Sequence, residues 1–211
     1  MQTYFGVKGV ALDRFISRAY RDMNRTLRGT AALNPSILQG AKAKLKKRVR
    51  ELTGTAVPPD EPEKKKSFDE WHHGSCQMLL TYYKRAIGSQ SKTRLTYGQA
   101  QKWINMTLKY CWICGDVSLE SLQPWLSVAH IPVDEVILVA AEEEGAVATR
   151  PCRIWSGWNN KDEYRDFQQL IRVAAKNADQ SPLEMELAWW TKYRPRVTGA
   201  TSDRTSPIEL T

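Results

Sequence analysis

Five arginines stand at positions 14, 18, 21, 25 and 28, spaced by four, three, four and three residues. At 100° per residue that spacing gathers all five into an arc of about 80° on one side of a helix. Leu12, Phe15, Ile16, Ala19, Tyr20, Met23 and Leu27 fall on the opposite side. Guanidinium groups take phosphate oxygens two at a time, so such a face can follow a nucleic-acid backbone while the other face is buried in a core. An acidic protein surface would suit the same face. A merely solvated face normally interleaves acids at i, i+4, and no acid falls inside this arc. Lys42, Lys46 and Arg50 repeat the pattern at a spacing of four in the next segment. The candidate nucleic-acid-binding set is therefore Arg14, Arg18, Arg21, Arg25, Arg28, Lys42, Lys46 and Arg50.

The charge distribution agrees. Residues 1–50 hold twelve basic side chains against Asp13 and Asp22, a net +10, and the remaining 161 residues sum to −2. Positive charge is a property of the N-terminal part, as in segments that seek a polyanion, DNA or RNA, or an acidic partner protein. A cationic amphipathic helix also suits an anionic membrane, but the apolar face here has no tryptophan and a second basic helix follows. No membrane partner is expected.

The most enzyme-like stretch is WHHGSCQ, residues 71–77, which brings together two histidines, a serine and a cysteine. A histidine beside a cation can run metal-free phosphodiester cleavage by general acid and base catalysis. Adjacent histidines on a helix point about 100° apart, so only one of His72 and His73 is expected to serve a given site. No glycine-rich phosphate loop, H-E-x-x-H pair or G-x-S-x-G elbow accompanies them. CWIC, residues 111–114, is a C-x-x-C pair for which Cys152, His130 and Cys76 are the available further metal ligands. It sits at the end of a helical pattern, not on a knuckle turn, and no second pair follows. Buried thiols are the expectation, with no metal and no cofactor. The carboxylates Asp134, Glu135, Asp162, Glu163 and Asp166 occupy first turns of helices, where acids complement the dipole. They do not form the spaced set of a two-metal nuclease. The sequence thus reads as a non-enzymatic nucleic-acid-binding protein, part of a larger complex. An accessory subunit docking on an acidic protein, or a nuclease-like enzyme using His72 or His73, are the alternatives.

The elements that must position these residues follow from periodicity and caps. Val10–Arg28 and Asn34–Gly54 predict two helices, the second with Asn34 as cap, Pro35 in its first turn and a narrow seam of Leu38, Ala41, Leu45, Val49 and Leu52. Together they make a basic helical hairpin, residues 1–53. Residues 54–66, TGTAVPPDEPEKKK without its first threonine, read as a proline-rich charged linker. Ser67 with Glu70 predicts a capping box opening a helix to Ile87. Thr96 opens another through Cys114, and a short helix spans about 118–129 around Pro124. From Pro132 the chain reads as a helix, or as a strand at Val136–Val139 within a short strand pair reaching residue 155. Asn159 or Asn160 caps the next helix, and Ser181 with Glu184 the last. Residues 67–193 would form a tryptophan-rich helical core domain, and 194–211 a disordered tail. Seven of eight tryptophans fall between 103 and 190. Most are expected in the core, with Trp158, in the loop SGWNN, as the one exposed to solvent and available for stacking on bases.

The fold class is mostly α. With no run of about eighteen apolar residues and no N-terminal signal pattern, a cytoplasmic location is expected.

Overall fold

A computed structural model describes residues 12–24, 35–87, 95–114, 117–151 and 154–198. Among them are seven α-helices: α1 (Leu12–Asn24), α2 (Pro35–Gly54), α3 (Glu61–Ile87), α4 (Tyr97–Cys114), α5 (Glu135–Glu143), α6 (Lys161–Asn177) and α7 (Pro182–Thr198). Two 3-10 segments, Val117–Val128 and Trp155–Gly157, complete them. The fold is mostly α, and the described residues contain no strand. Val136–Val139 lies inside α5, because Asp134 caps that helix: its carboxylate accepts from Ile137 N at 3.0 Å. None of these helices is long and apolar enough to cross a membrane.

Helix starts are set by short-range polar chemistry. Asn160 Oδ1 accepts from Asp162 N and Glu163 N at 3.0 and 3.2 Å. Ser181 and Glu184 close the expected capping box, with Ser181 N donating to Glu184 Oε2 at 2.8 Å. Thr96 and Gln99 form another, with reciprocal bonds of 3.0 and 3.1 Å. Ser67 and Glu70 do not. The start of α3 lies two turns earlier, where Asp60 Oδ1 accepts from Glu63 N at 2.8 Å. Pro62 is tolerated there because a first-turn N–H has no helical partner to lose. Glu61–Lys66, read from sequence as linker, are thus helical. At the other end α7 continues past Arg194 to Thr198, where a tail was expected, and Arg194 lies 4.7 Å over the Trp190 ring. Residues 199–211 lie outside the described residues.

One core runs through the chain, from Leu12 on α1 to Tyr193 on α7. The apolar side of α1 packs on α4, and the indole N–H of fully buried Trp103 donates to the Ile16 carbonyl at 2.9 Å. α2 lies against α1 and α3, and α5 against α7. At the N-terminal end of α4 the chain passes so closely that a Cβ at Gly98 would stand 2.0 Å from the Trp155 carbonyl oxygen. Gly98 N donates to the Trp158 carbonyl at 2.7 Å, which seats the SGWNN loop on α4. Trp158 is consequently 4% exposed, not an outward platform. Its ring meets Tyr164 and Phe167 edge-on, at 5.6 and 5.8 Å.

The connection from Val128 to Asp134 is irregular, yet Ala129 to Val133 are buried. A buried loop must find partners for its backbone, and side-chain amides supply them. Gln168 accepts from Ile131 N at 2.9 Å and donates to Ile131 O at 3.0 Å, while Asn105 Nδ2 donates to the same carbonyl at 2.9 Å. Gln101 Nε2 reaches Val133 O at 3.3 Å, and Arg172 Nε donates to Val128 O at 3.0 Å. These four residues sit at i, i+4 on α4 and on α6. They hold His130 in the centre of the molecule.

Candidate functional site

Two features carry chemistry: the cationic side of α1 and α2, and a cavity between α3 and α6.

On α1, Phe15, Ile16, Ala19 and Met23 are fully buried, so the arginine side of the helix is turned outward. Arg14 and Arg21 are exposed. Arg18 is half-buried. Its Nε lies 3.4 Å from Asp22 Oδ2, and the Tyr110 hydroxyl donates to the same carboxylate, which fastens α1 to α4. Arg25 and Arg28 lie outside the described residues. On α2, Lys46 Nζ is 2.5 Å from Asp13 Oδ2, Lys42 stands 5.9 Å over the Tyr20 ring, and Arg50 is exposed. Of the predicted set, then, Arg14, Arg21 and Arg50 present open cationic heads. Arg18, Lys42 and Lys46 also hold the two helices in place. Asp13 and Asp22, which lie just outside the arginine arc, are the acids that engage them.

The cavity has a volume of about 580 Å³ and is bordered by α3, α6 and the first residue of α4. Asp69, His72, His130 and Tyr164 of its lining belong to a continuous polar chain that runs on into the core. Arg172 grips Asp69 bidentately, Nη1 to Oδ2 at 3.1 Å and Nη2 to Oδ1 at 2.6 Å. His130 Nε2 lies 2.9 Å from Asp69 Oδ1, and the Tyr164 hydroxyl is 3.2 Å from His130 Nδ1. Asn105 Nδ2 donates to the Tyr164 oxygen at 2.9 Å, and Asn105 Oδ1 faces His72 Nε2 at 2.9 Å. Cys76 Sγ stands 3.9 Å from His72 Nδ1. A carboxylate accepts only, so His130 carries its proton on Nε2 and accepts from Tyr164 on Nδ1. By the same reasoning His72 donates from Nε2 and accepts from the Cys76 thiol.

Electrostatics keep this chain neutral apart from the Asp69–Arg172 pair. Burial, then the neighbouring His130, holds His72 well below the ordinary imidazole value. Burial brings His130 down to about 4 against the opposing pull of Asp69. Hydrogen bonds from His130 and Arg172 outweigh desolvation at Asp69 and keep its carboxyl well below the usual range. Cys76, His72 and Asn105 have the composition of a cysteine-hydrolase triad. Burial pushes the Cys76 thiol far above its ordinary value, opposite to what a nucleophilic thiolate needs. Those three residues form a buried hydrogen-bonded chain.

His73 differs from His72. It is half-buried, borders the cavity, and its Nδ1 lies 3.3 Å from the Tyr97 hydroxyl. Both histidines of the WHH motif border the same cavity, joined by His130 from a distant segment. They differ in access: His72 is 1% exposed with both ring nitrogens engaged, whereas His73 is half-buried. His130 has both ring nitrogens engaged by Asp69 and Tyr164, which removes it from any zinc site with Cys111 and Cys114. Cys111 is buried, Cys114 half-buried, and Cys152 lies outside the described residues. Among the described residues no three His, Cys, Asp or Glu side chains converge as a metal would require.

Sequence reading missed Asp69, Asn105, Tyr164, Arg172 and Tyr97. The available signal was polar side chains on apolar faces: Asp69, His72 and Cys76 on α3, Gln101 and Asn105 on α4, Gln168 and Arg172 on α6. The chain was compared with protein-family models, curated proteins and solved structures, and nothing in any of the three matches it.

Proposed function

We propose that this chain is a non-enzymatic nucleic-acid-binding protein that grips the phosphate backbone through the cationic side of α1 and α2, as part of a larger assembly. The observation that carries this reading is the complete burial of the apolar side of α1, which leaves Arg14 and Arg21 facing solvent beside a second basic helix bearing Arg50. The backbone contacts are electrostatic, so sequence preference is weak. An acidic protein partner is the second reading. Carboxylates already dock on these cations within the chain, as Asp13 does on Lys46.

The test is the full-length variant Arg14→Gln/Arg21→Gln/Arg50→Gln, titrated with a labelled duplex at several salt concentrations. Each lost phosphate contact removes about 0.9 from the slope of log affinity against log salt, so the triple variant should flatten it by about 2 to 3 units. Its thermal midpoint should stay near that of the parent, since all three heads are exposed. An unchanged slope overturns the reading. Retained duplex affinity together with loss of a co-purifying protein transfers the face to the acidic-partner reading.

A further inference from the structure

The two acids of α1 are held in different ways. Asp22 is 11% exposed, lies 3.4 Å from Arg18 Nε and accepts from the Tyr110 hydroxyl of α4. It belongs to the fold. Asp13 stands in the first turn of α1 with its side chain 58% exposed, and its carboxylate lies 2.5 Å from Lys46 Nζ on α2. The lysine is the more enclosed partner, with its side chain 28% exposed. Lys46 is also the middle member of the row Lys42, Lys46 and Arg50, with Lys42 over the Tyr20 ring of α1 one turn before it and exposed Arg50 one turn after. Asp13 therefore covers a cation at the centre of that row, on the line where α1 meets α2, and next in sequence to exposed Arg14.

A carboxylate and a phosphate oxygen ask the same of an ammonium, which offers them one positive charge and its N–H donors. A strand that reaches Lys46 must approach the Asp13 carboxylate as well, and like charges repel. Asp13 has the advantage of place: the packing of α1 on α2 keeps it within reach of Lys46, while a phosphate must arrive from solution. We infer that Asp13 is a built-in competitor of the polyanion, holding Lys46 where a phosphate would hold it, so that Lys46 adds no backbone contact in the parent chain. The inference rests on the proposed reading of the α1 and α2 face as a phosphate-binding surface. Arg14, Arg21 and Arg50 keep their heads exposed, so the face still binds. Its grip is set from within the chain: neutralising one exposed acid adds a contact without adding a cation.

The experiment compares the full-length chain with Asp13→Asn in titrations of a labelled duplex between about 50 and 200 mM salt. One added phosphate contact steepens the slope of log affinity against log salt by about 0.9, so over that rise in salt the affinity of Asp13→Asn should fall about 3.5-fold further than the parent's. At the low-salt end the variant should bind more tightly than the parent. Its thermal midpoint should stay close to the parent's, because an exposed ion pair contributes little to stability. Adding Lys46→Gln to Asp13→Asn should return the slope to the parent's. Asp179→Asn neutralises an exposed acid beyond the end of α6 and raises the net charge by the same amount, yet it should leave the slope where it is. A parent slope of about −2.7 or steeper that Asp13→Asn does not change overturns this inference and leaves the proposed function standing. So does a steepening that survives Lys46→Gln or that Asp179→Asn reproduces. A parent slope between 0 and about −1 overturns the proposed function, and this inference with it.

Discussion

Asp69→Ala should destabilise the fold by about 3–5 kcal/mol, the range for breaking a buried ion pair from one side. Arg172 is 8% exposed and gives Asp69 two hydrogen bonds, so removing the carboxylate leaves a guanidinium charge buried without its counter-ion. It also strips His130 of the acceptor that fixes its tautomer. The loss then passes to Tyr164 and to the buried loop that Arg172 holds through Val128 O. The measurement is the urea midpoint at constant slope. The double variant Asp69→Ala/Arg172→Met removes both charges and should lose clearly less than the sum of Asp69→Ala and Arg172→Met alone. Additive losses, or a cost below about 1 kcal/mol for Asp69→Ala, would show that this pair does not organise the centre of the molecule.

Acid should act on the same cluster. His130 titrates near 4 in the folded chain, below the ordinary imidazole value of 6.5, and His72 is also lowered. Between those two pH values the unfolded chain binds more protons than the folded one, so stability must fall as pH falls from about 6.5 towards 4. At 1.36 kcal/mol per pH unit, His130 alone contributes about 3 kcal/mol of loss, and His72 adds to it with the same sign. Below the ordinary carboxyl range Asp69 continues the trend, since its folded value is depressed and protonation breaks its pairing with Arg172. Urea unfolding at a series of pH values reads this directly. A profile flat from 6.5 to 4.5 would mean that the two imidazoles are not held neutral by burial.

The helices were legible in the sequence wherever a local rule sets them. Pro35 and Gly54 bound α2, Asn160 caps α6, and Ser181 with Glu184 caps α7, because each depends on neighbours within four residues. The start of α3 was misplaced. Ser67 and Glu70 satisfy the same rule that Asp60 satisfies two turns earlier, and the prolines ahead of them suggested a linker. Trp158 was expected outside because it follows a glycine in a polar loop. It is inside because Gly98, sixty residues away, lets that loop close on α4. Of the arginine stripe, the outward placement of Arg14 and Arg21 was legible in the sequence. What it could not display was the Tyr110 hydroxyl on α4, which meets Asp22 and draws Arg18 inward. The cavity was half visible: the WHH motif marked one wall, while Asp69, Asn105, Tyr164 and Arg172 are brought together only by tertiary packing.

The central claim, that the side of α1 and α2 grips a phosphate backbone, is tested most directly by one measurement: affinity of the full-length chain for a 20-base-pair duplex across a range of salt concentrations. With Arg14, Arg21 and Arg50 each taking one phosphate, as proposed, log affinity should fall against log salt with a slope of about −2.7 or steeper, and alike for unrelated duplex sequences. A slope between 0 and about −1, one contact or fewer, would contradict the account.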